Sequence, residues 1–431
     1  MPHHRLVLAP TTQAQVSGHR FLLRRMHHAL VLGDARMIHD PLAKRHRAAT
    51  VGVVLAVLFL MGSGLLAVLD PHPIPGEDVA LLRAASGELY VRLDGEVHPV
   101  SNLASARLIL GTAAEPADIA DEELGSLRHG RPLGLSDAPG FIAAANPPEE
   151  ERTWAACLRG GRLSVELGRT PHALDGHEAV LLRETHGPVP MDYLVTAGGR
   201  AALPLGDTPE GVVVRRRLGI DATAPVWEPP APLTAAIEES KAISFPHPLP
   251  EVWRVGAEAW ASSPEGIHEV TEEQAAMLTD MGATQRNVSR AQAAARPQAP
   301  NLLNLPDHAV RLIDPANTDL CAVGAEGSVG RALPDSPRAI LPERGWDSGG
   351  DRGEAESRLA VAEFFSADLR GAIAVDTGAG YHVVTAHGVR HRLPGRETVA
   401  VLGLPEPIPG WWPALRLLPE GAPLSEEEAM R

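Results

Sequence analysis

The run AATVGVVLAVLFLMGSGLLAVL, Ala48 to Leu69, contains 22 residues and no charge. At about 1.5 Å of helical rise per residue it reaches roughly 33 Å, enough to cross a bilayer. Lys44-Arg45-His46-Arg47 abuts one end and Asp70-Pro71-His72-Pro73 the other. A cleaved signal peptide is the rival reading, but such segments start near residue 1 and are shorter. A buried core helix fits the charged flanks poorly, so the run reads as a transmembrane helix.

The chain is unlike itself on the two sides of this run. Residues 1–47 carry eight Lys/Arg against two Asp, whereas residues 70–431 carry 31 basic and 52 acidic residues. The basic side is expected to stay cytoplasmic, with the long acidic part extracytoplasmic. So acidic an exterior gives nucleic-acid binding no electrostatic basis. With 431 residues, several folding units are expected. The 41 Gly and 39 Pro exclude a coiled-coil rod.

Ahead of the membrane, Thr11 to Pro41 reads as a short helical unit. Ser17 is read as its cap, and Leu22, Leu23, Met26, Ala29 and Leu30 recur at three and four residues. Arg20, Arg24 and His27 take the other side, and Gly33-Asp34 ends the helix. Such a basic amphipathic helix either lies on anionic lipid or docks onto a cytoplasmic partner. The expected docking residues are Arg20, Leu22, Arg24, Met26 and Leu30.

The extracytoplasmic part contains an internal repeat. Tyr90-Val91-Arg92-Leu93-Asp94-Gly95-Glu96-Val97-His98-Pro99-Val100 leads to Leu110-Gly111, and Tyr381 to Leu393 leads to Leu402-Gly403. Gly130-Arg131-Pro132-Leu133 and Gly421-Ala422-Pro423-Leu424 close these copies at equal distances from their tyrosines. A further copy runs from Tyr193 to Leu203 and on to Leu218-Gly219. A weaker one runs from Trp260 through Gly266-Ile267-His268-Glu269-Val270 to Met281-Gly282. Each reads as a β-hairpin followed by a short helix, with the three tyrosines at one position.

Between the copies, Phe141 to Thr170 and Asn301 to Gly330 share no repeat pattern and carry one cysteine each, Cys157 and Cys321. Two cysteines in an oxidising compartment read most simply as one disulfide, with two buried free thiols as the alternative. Closing a loop of about 165 residues would constrain the unfolded chain by roughly 5 kcal/mol in the entropic model. Ala224 to Pro232 and Pro246 to Pro250 read as proline-rich connections. Ala283 to Pro300 reads as loop or short helix, and Arg344 to Glu356 as an exposed loop.

The resulting fold class is α+β: one transmembrane helix, then β-rich repeats around a central sheet domain. The expected boundaries are 1–47 for the cytoplasmic segment, 48–69 for the membrane helix and 70–134 for repeat 1. The central domain takes 135–176 and 301–375. Repeats 2, 3 and 4 take 177–233, 234–300 and 376–431.

Catalytic chemistry finds little support. A P-loop needs Gly-x-x-x-x-Gly-Lys-Ser/Thr, and neither Lys44 nor Lys241, the only lysines, is followed by Ser or Thr. Asp347-Ser348-Gly349-Gly350 and Val384-Thr385-Ala386-His387 imitate serine-protease segments, but in the reverse of that fold's chain order. His382, His387 and His391 lack a carboxylate at ligand spacing and read as exposed strand histidines. Glu149-Glu150-Glu151 and Glu426-Glu427-Glu428 read as solvated charge runs. No cofactor, metal or enzymatic activity is expected.

The N-terminal run Gln15-Val16-Ser17-Gly18-His19-Arg20-Phe21-Leu22-Leu23-Arg24-Arg25-Met26, with Ala29-Leu30-Val31, Asp34-Ala35-Arg36-Met37 and Asp40-Pro41, precedes one membrane helix and strand-rich repeats. In this it resembles the EccB subunits of type VII (ESX) secretion systems. The resemblance implies a non-catalytic subunit of an inner-membrane complex with EccC, EccD, EccE and the mycosin protease, together with EccB self-association. It also implies four repeats around a central domain and a disulfide that maps onto Cys157 and Cys321. A membrane-anchored cell-wall-binding protein is the alternative.

Overall fold

The computed structural model describes residues 12–33, 36, 41–69, 76, 78–185, 189–324, 328–333, 339–340 and 362–431. The loop expected at Arg344 to Glu356, with the protease-like Asp347 to Gly350, lies outside the described residues, as do Asp34, Asp40 and Asp70 to Pro73. The chain divides into two units, Met1–Ile74 and Pro75–Arg431.

The first unit holds helices α1 (Gln13–Leu32) and α2 (Pro41–Leu69). Thr12, not Ser17, caps α1: its hydroxyl accepts from the Gln15 N–H while the Gln15 side chain accepts from the Thr12 N–H. Ser17 sits inside the helix and donates to the Ala14 carbonyl. Gly33, at φ 66°, ends α1 in the left-handed conformation that a side chain resists. The backbone of α2 starts seven residues before the charge-free run, with proline in its first turn, where the missing N–H has no helical partner to lose. Arg47–Leu65 is long and apolar enough to cross a membrane, and none of it is buried.

The second unit repeats one topology four times. Its first copy comprises β1 (Leu81–Arg83), β2 (Leu89–Leu93), β3 (Glu96–Val100), α3 (Leu103–Leu110), β4 (Ala117–Asp118) and α4 (Asp121–Leu124). Asp94 and Gly95, both at positive φ, make the tight β2–β3 turn whose twist suits a hairpin. The sheet order is β3-β2-β1-β4, with β4 parallel to β1.

There follow β5 (Trp154–Arg159), β6 (Arg162–Leu167) and β7 (His172–Ala173). The second copy is β8 (Glu178–Glu184), β9 (Met191–Thr196), β10 (Gly199–Ala202), α5 (Pro209–Arg217), β11 (Val226–Trp227) and α6 (Ala231–Thr234). The third is β12 (Glu251–Val255), β13 (Glu258–Ser263), β14 (Gly266–Val270), α7 (Glu272–Asp280), β15 (Gln285–Asn287) and α8 (Arg290–Ala294). Next come β16 (Arg311–Leu312), β17 (Leu320–Val323), β18 (Ser328–Arg331), β19 (Ala339–Ile340) and β20 (Phe364–Ser366). The fourth copy is β21 (Ile373–Asp376), β22 (Tyr381–Val384), β23 (Arg390–Arg392), α9 (Glu397–Leu402), β24 (Ile408–Pro409) and α10 (Trp412–Leu415), and α11 (Glu426–Ala429) follows it.

Each repeat is therefore three antiparallel strands, a helix, a parallel return strand and a second short helix, not a hairpin and helix alone. The proline-rich segment Ala224 to Pro232 supplies β11 and the start of α6, and Ala283 to Pro300 supplies β15 and α8. These return strands are only two or three residues long, too short to show alternation in a sequence. The recurring Leu-Gly and Met-Gly pairs end the first helix of each repeat: Gly111, Gly219, Gly282 and Gly403 have φ of 64°, 69°, 98° and 67°.

Helix and sheet faces fix how the copies pack. The α3 faces of the first and the α9 faces of the fourth repeat share one core, with Leu81, Val91, Leu108, Val383, Leu402 and Leu424 buried in it. The α5 and α7 faces of the second and third share another, around Leu181, Leu194, Val214, Met277 and Leu278. The opposite faces of the second and fourth repeats join the seven-stranded sheet β19-β20-β6-β5-β17-β18-β7 in the largest core. The order of contact is thus first, fourth, central sheet, second, third.

The tyrosines do not occupy one position. Tyr90 and Tyr193 face away from the first helix of their repeats, as Trp260 does. Tyr381 packs on the α9 side, and His382 stands opposite Val375 where Tyr90 stands opposite Leu82. The β21–β22 connection is one residue shorter than the β1–β2 connection in this register, and a one-residue slip turns every side chain to the other face.

Candidate functional site

The expected docking residues all lie on α1. Leu22, Met26 and Leu30 fall four residues apart on one face and are 58%, 57% and 83% exposed. Arg20 and Arg24 lie two residues from Leu22, about 200° around the helix from it. The stripe lies open on a helix with no acidic residue, and Arg25, three residues from Leu22, borders it together with His19.

Cys157 on β5 and Cys321 on β17 are directly opposed in antiparallel register and joined by a disulfide. Both are fully buried, beside Ala155 and Val323. The bond links the two central-sheet segments that flank the second and third repeats in sequence.

Buried and half-buried charges pair within this sheet and in the second repeat beside it. Arg159 Nε donates to Glu166 at 2.7 Å, both side chains being buried. Glu178, at the start of β8, accepts from Arg331 of β18 and from Arg311 of β16. The Arg331 hydrogen bond outweighs burial and holds the Glu178 carboxyl below its usual range. Asp192 accepts from Arg183 at 2.8 Å and Arg215 at 3.0 Å; burial opposes its charge, yet the two arginines prevail and lower its pKa. These clusters were not legible in the sequence, because partners up to 153 residues apart carry no spacing signal.

The histidines of the fourth repeat do not converge. His382 and His391 are buried, contrary to the exposed-strand reading, and alternation puts them on opposite sheet faces. His382 stacks on Trp412, and His391 bonds the Ala422 carbonyl. His387 lies in the exposed part of the β22–β23 turn. Among the described residues, no group of three His, Cys, Asp or Glu side chains is placed to hold a metal.

Comparison with known proteins agrees with this architecture. The family described as "Type VII secretion system ESX-1, transport TM domain B" matches residues 8–251. The chain is 30% identical to a Mycobacterium tuberculosis H37Rv protein named "ESX-1 secretion system ATPase EccB1", over 97% of this chain and 94% of the relative. It is 27% identical to the EccB1 of Mycolicibacterium smegmatis MKD8, over 97% and 95%. Similar solved folds include a chain of an intact ESX-5 inner membrane complex, with TM-score 0.66, 22% identity and coverage of 99% and 96%. They also include the EccB3 dimer from the ESX-3 core complex, with TM-score 0.65, 23% identity and coverage of 82% and 100%. The chain belongs to the EccB family of type VII secretion systems.

Proposed function

We propose that this chain is a structural subunit of a type VII secretion inner-membrane complex, with α1 cytoplasmic and the four-repeat unit outside. The observation that carries this is an uncovered helical span with a charge-free run, 48–69, between a basic segment and an acidic repeat unit, in a chain of the EccB family. The charge step supports the orientation. The apolar stripe of α1 supports docking onto a cytoplasmic part of the complex, with EccC and EccD as the expected partners. EccE, the mycosin protease and a second copy of the chain are the further partners in this reading.

Relatives carry "ATPase" in their names. We read this chain as non-hydrolysing, because neither lysine stands in a phosphate-binding loop. Phosphate release by the purified chain above that of a mock preparation would overturn this.

Changing Leu22 and Met26 together to Ser leaves Val51 to Leu69 intact and should leave the chain in the membrane. Burying each apolar side chain at an interface contributes roughly 1.5–3 kcal/mol, so the double change should remove the chain from EccC and EccD on copurification and stop export. Undiminished copurification and export would make α1 a lipid-facing helix. Protease added outside spheroplasts should digest the repeat unit and spare a small basic fragment, and protection of the repeat unit would invert the topology.

A further inference from the structure

The segment Pro419 to Arg431 leaves the fourth repeat and lies along the first. It runs beside β23, with the Arg390 N–H donating to the Pro419 carbonyl and the Gly421 and Leu424 N–H groups donating to the Arg390 and Arg392 carbonyls. It then crosses: the Gly134 N–H donates to the Ala429 carbonyl, and Arg131 donates to the Met430 and Arg431 carbonyls. Leu424 and Ala429 are buried in the core that the two repeats share.

At the crossing, Ala422 is gripped from both sides. Its N–H donates to Asp137 Oδ2 at 2.7 Å, from the segment that follows the first repeat. Its carbonyl lies 2.9 Å from His391 Nδ1, and since a carbonyl can only accept, Nδ1 carries the proton. The ring lies against Gly421 so closely that a side chain there would run into it. His391 is 0% exposed, and its Nε2 is buried with no hydrogen-bond partner among the described residues.

We propose that His391 is a pH-sensitive latch that holds residues 419–431 across the joint of the first and fourth repeats while neutral and loosens them when protonated. A proton on Nε2 would create a charged ring whose new N–H has no acceptor, and such a group is penalised until it reaches water. The charged group that faces the ring is Asp137; Glu420 of the strap also acts on it but is ion-paired with Arg390 at 3.0 Å. Arg390 and Arg392, its neighbours on β23, lie on the other sheet face. Burial dominates and pushes the imidazole below its ordinary value of 6.5, with the Ala422 bond, Asp137 and Glu420 opposing.

The sign follows from linkage. The open strap binds the proton more readily than the closed one, so closure is fully favoured above the ordinary histidine range. It weakens as pH falls below that range towards the depressed value of the closed state.

The first repeat supplies an internal control. His98 Nδ1 lies 3.0 Å from the Arg131 carbonyl, and its ring crowds Gly130 as His391 crowds Gly421, but His98 is only half-buried.

Hydrogen–deuterium exchange on the full chain in lipid nanodiscs, corrected for intrinsic exchange, tests the latch at about pH 7.5 and about pH 5.0. Peptides covering 419–431 should lose protection severalfold at the lower pH, while those covering 154–167, which hold no histidine, keep theirs. His391→Gln, which can still donate to Ala422 but cannot be charged, should reduce the change to less than about twofold, and His98→Gln should keep it. Equal protection of the wild-type strap at both pH values overturns the proposal, as does an unreduced change in His391→Gln. Should that variant misfold, the wild type alone decides: loss of protection across all four repeats together, instead of at the strap first, overturns it.

Discussion

The two joints between repeats solve one packing problem at very different distances along the chain. The second and third repeats are consecutive, and Arg217 at the end of α5 reaches Asp280 at the end of α7 63 residues away. In the first and fourth repeats, Arg107 reaches the Leu402 carbonyl across 295 residues. Closing the longer loop costs more chain entropy, though the dependence on length is only logarithmic. The larger difference is what surrounds each core: the near joint is closed by two helices and the Arg217–Asp280 ion pair, and the far joint adds the strap, with Arg107 and Arg131 donating to backbone carbonyls of the opposite segment and the Ala422 N–H donating to Asp137. Distance in sequence is offset here by extra directional bonds.

Equivalent core truncations should give the largest effects and break the comparison most directly. Leu278 and Leu402 are both fully buried, in the near and far joints respectively. Each change to Ala should lower stability by about 2–5 kcal/mol. Urea unfolding followed by peptide-resolved exchange should show Leu402→Ala loosening the first and fourth repeats ahead of the other two, and Leu278→Ala the reverse. Identical patterns would mean that the central sheet couples both joints into one unfolding unit.

The cysteine pair stands between the joints. Non-reducing electrophoresis of the intact chain should show a faster monomer that slows on reduction, and Cys157→Ser should abolish the difference. Losing the cross-link should lower stability by about 2–4 kcal/mol without preference for either joint. A preferential loss at the near joint would place the bond's role in closing the segment that contains repeats two and three.

Much of this was legible because the signals were local. The membrane helix follows from 22 uncharged residues, and the repeats from hairpins followed by a Leu-Gly stop whose glycine the left-handed turn requires. The return strands β4, β11, β15 and β24 were missed, being two or three residues long and set among prolines or polar residues. The displaced Tyr381 shows the same limit, since one residue fewer in a connection reverses a face without altering the motif. Asp192 with its two arginines, and Glu178 with Arg331, exist only once distant strands are in place. The cap of α1 was misplaced by five residues, because Thr12 and Ser17 both offer a hydroxyl ahead of apolar residues.

Asp192 sharpens the comparison from inside the second repeat. Its lowered pKa means that the folded state favours the carboxylate, so its contribution is present above the ordinary aspartate value of 3.8 and is lost as pH falls through the lower folded value. Acid should therefore loosen the second repeat only below about pH 4, well beneath the range in which a histidine at the far joint titrates. Asp192→Asn should lower stability by about 1–3 kcal/mol, because Arg183 and Arg215 lose a charged acceptor. Exchange at the two joints as a function of pH would separate these ranges, and a single shared midpoint would show that one group governs both.

The smallest expected effect concerns the ion pair at the near joint. Arg217 Nη2 lies 2.8 Å from Asp280 Oδ2, at the C-terminal ends of α5 and α7, with each side chain about one-third exposed. Solvent screens such a pair, and holding two flexible side chains in place offsets part of the attraction, so Arg217→Ala should lower stability by about 0.2–1 kcal/mol. The loss should shrink in high salt, which screens exposed charges but leaves the buried Leu278 contacts untouched. If the comparison of the joints is right, the equivalent change at the far joint, Arg107→Ala, should have the larger effect. That guanidinium is half-buried and donates to the Leu402 and Ala114 carbonyls, which would lose their donor on the inside of the protein. Thermal unfolding of the two variants at low and high salt decides it: the Arg217 variant should converge on the wild type, and the Arg107 variant should not. Equal losses with equal salt dependence would mean that the far joint rests on its apolar core alone and that its extra bonds contribute little.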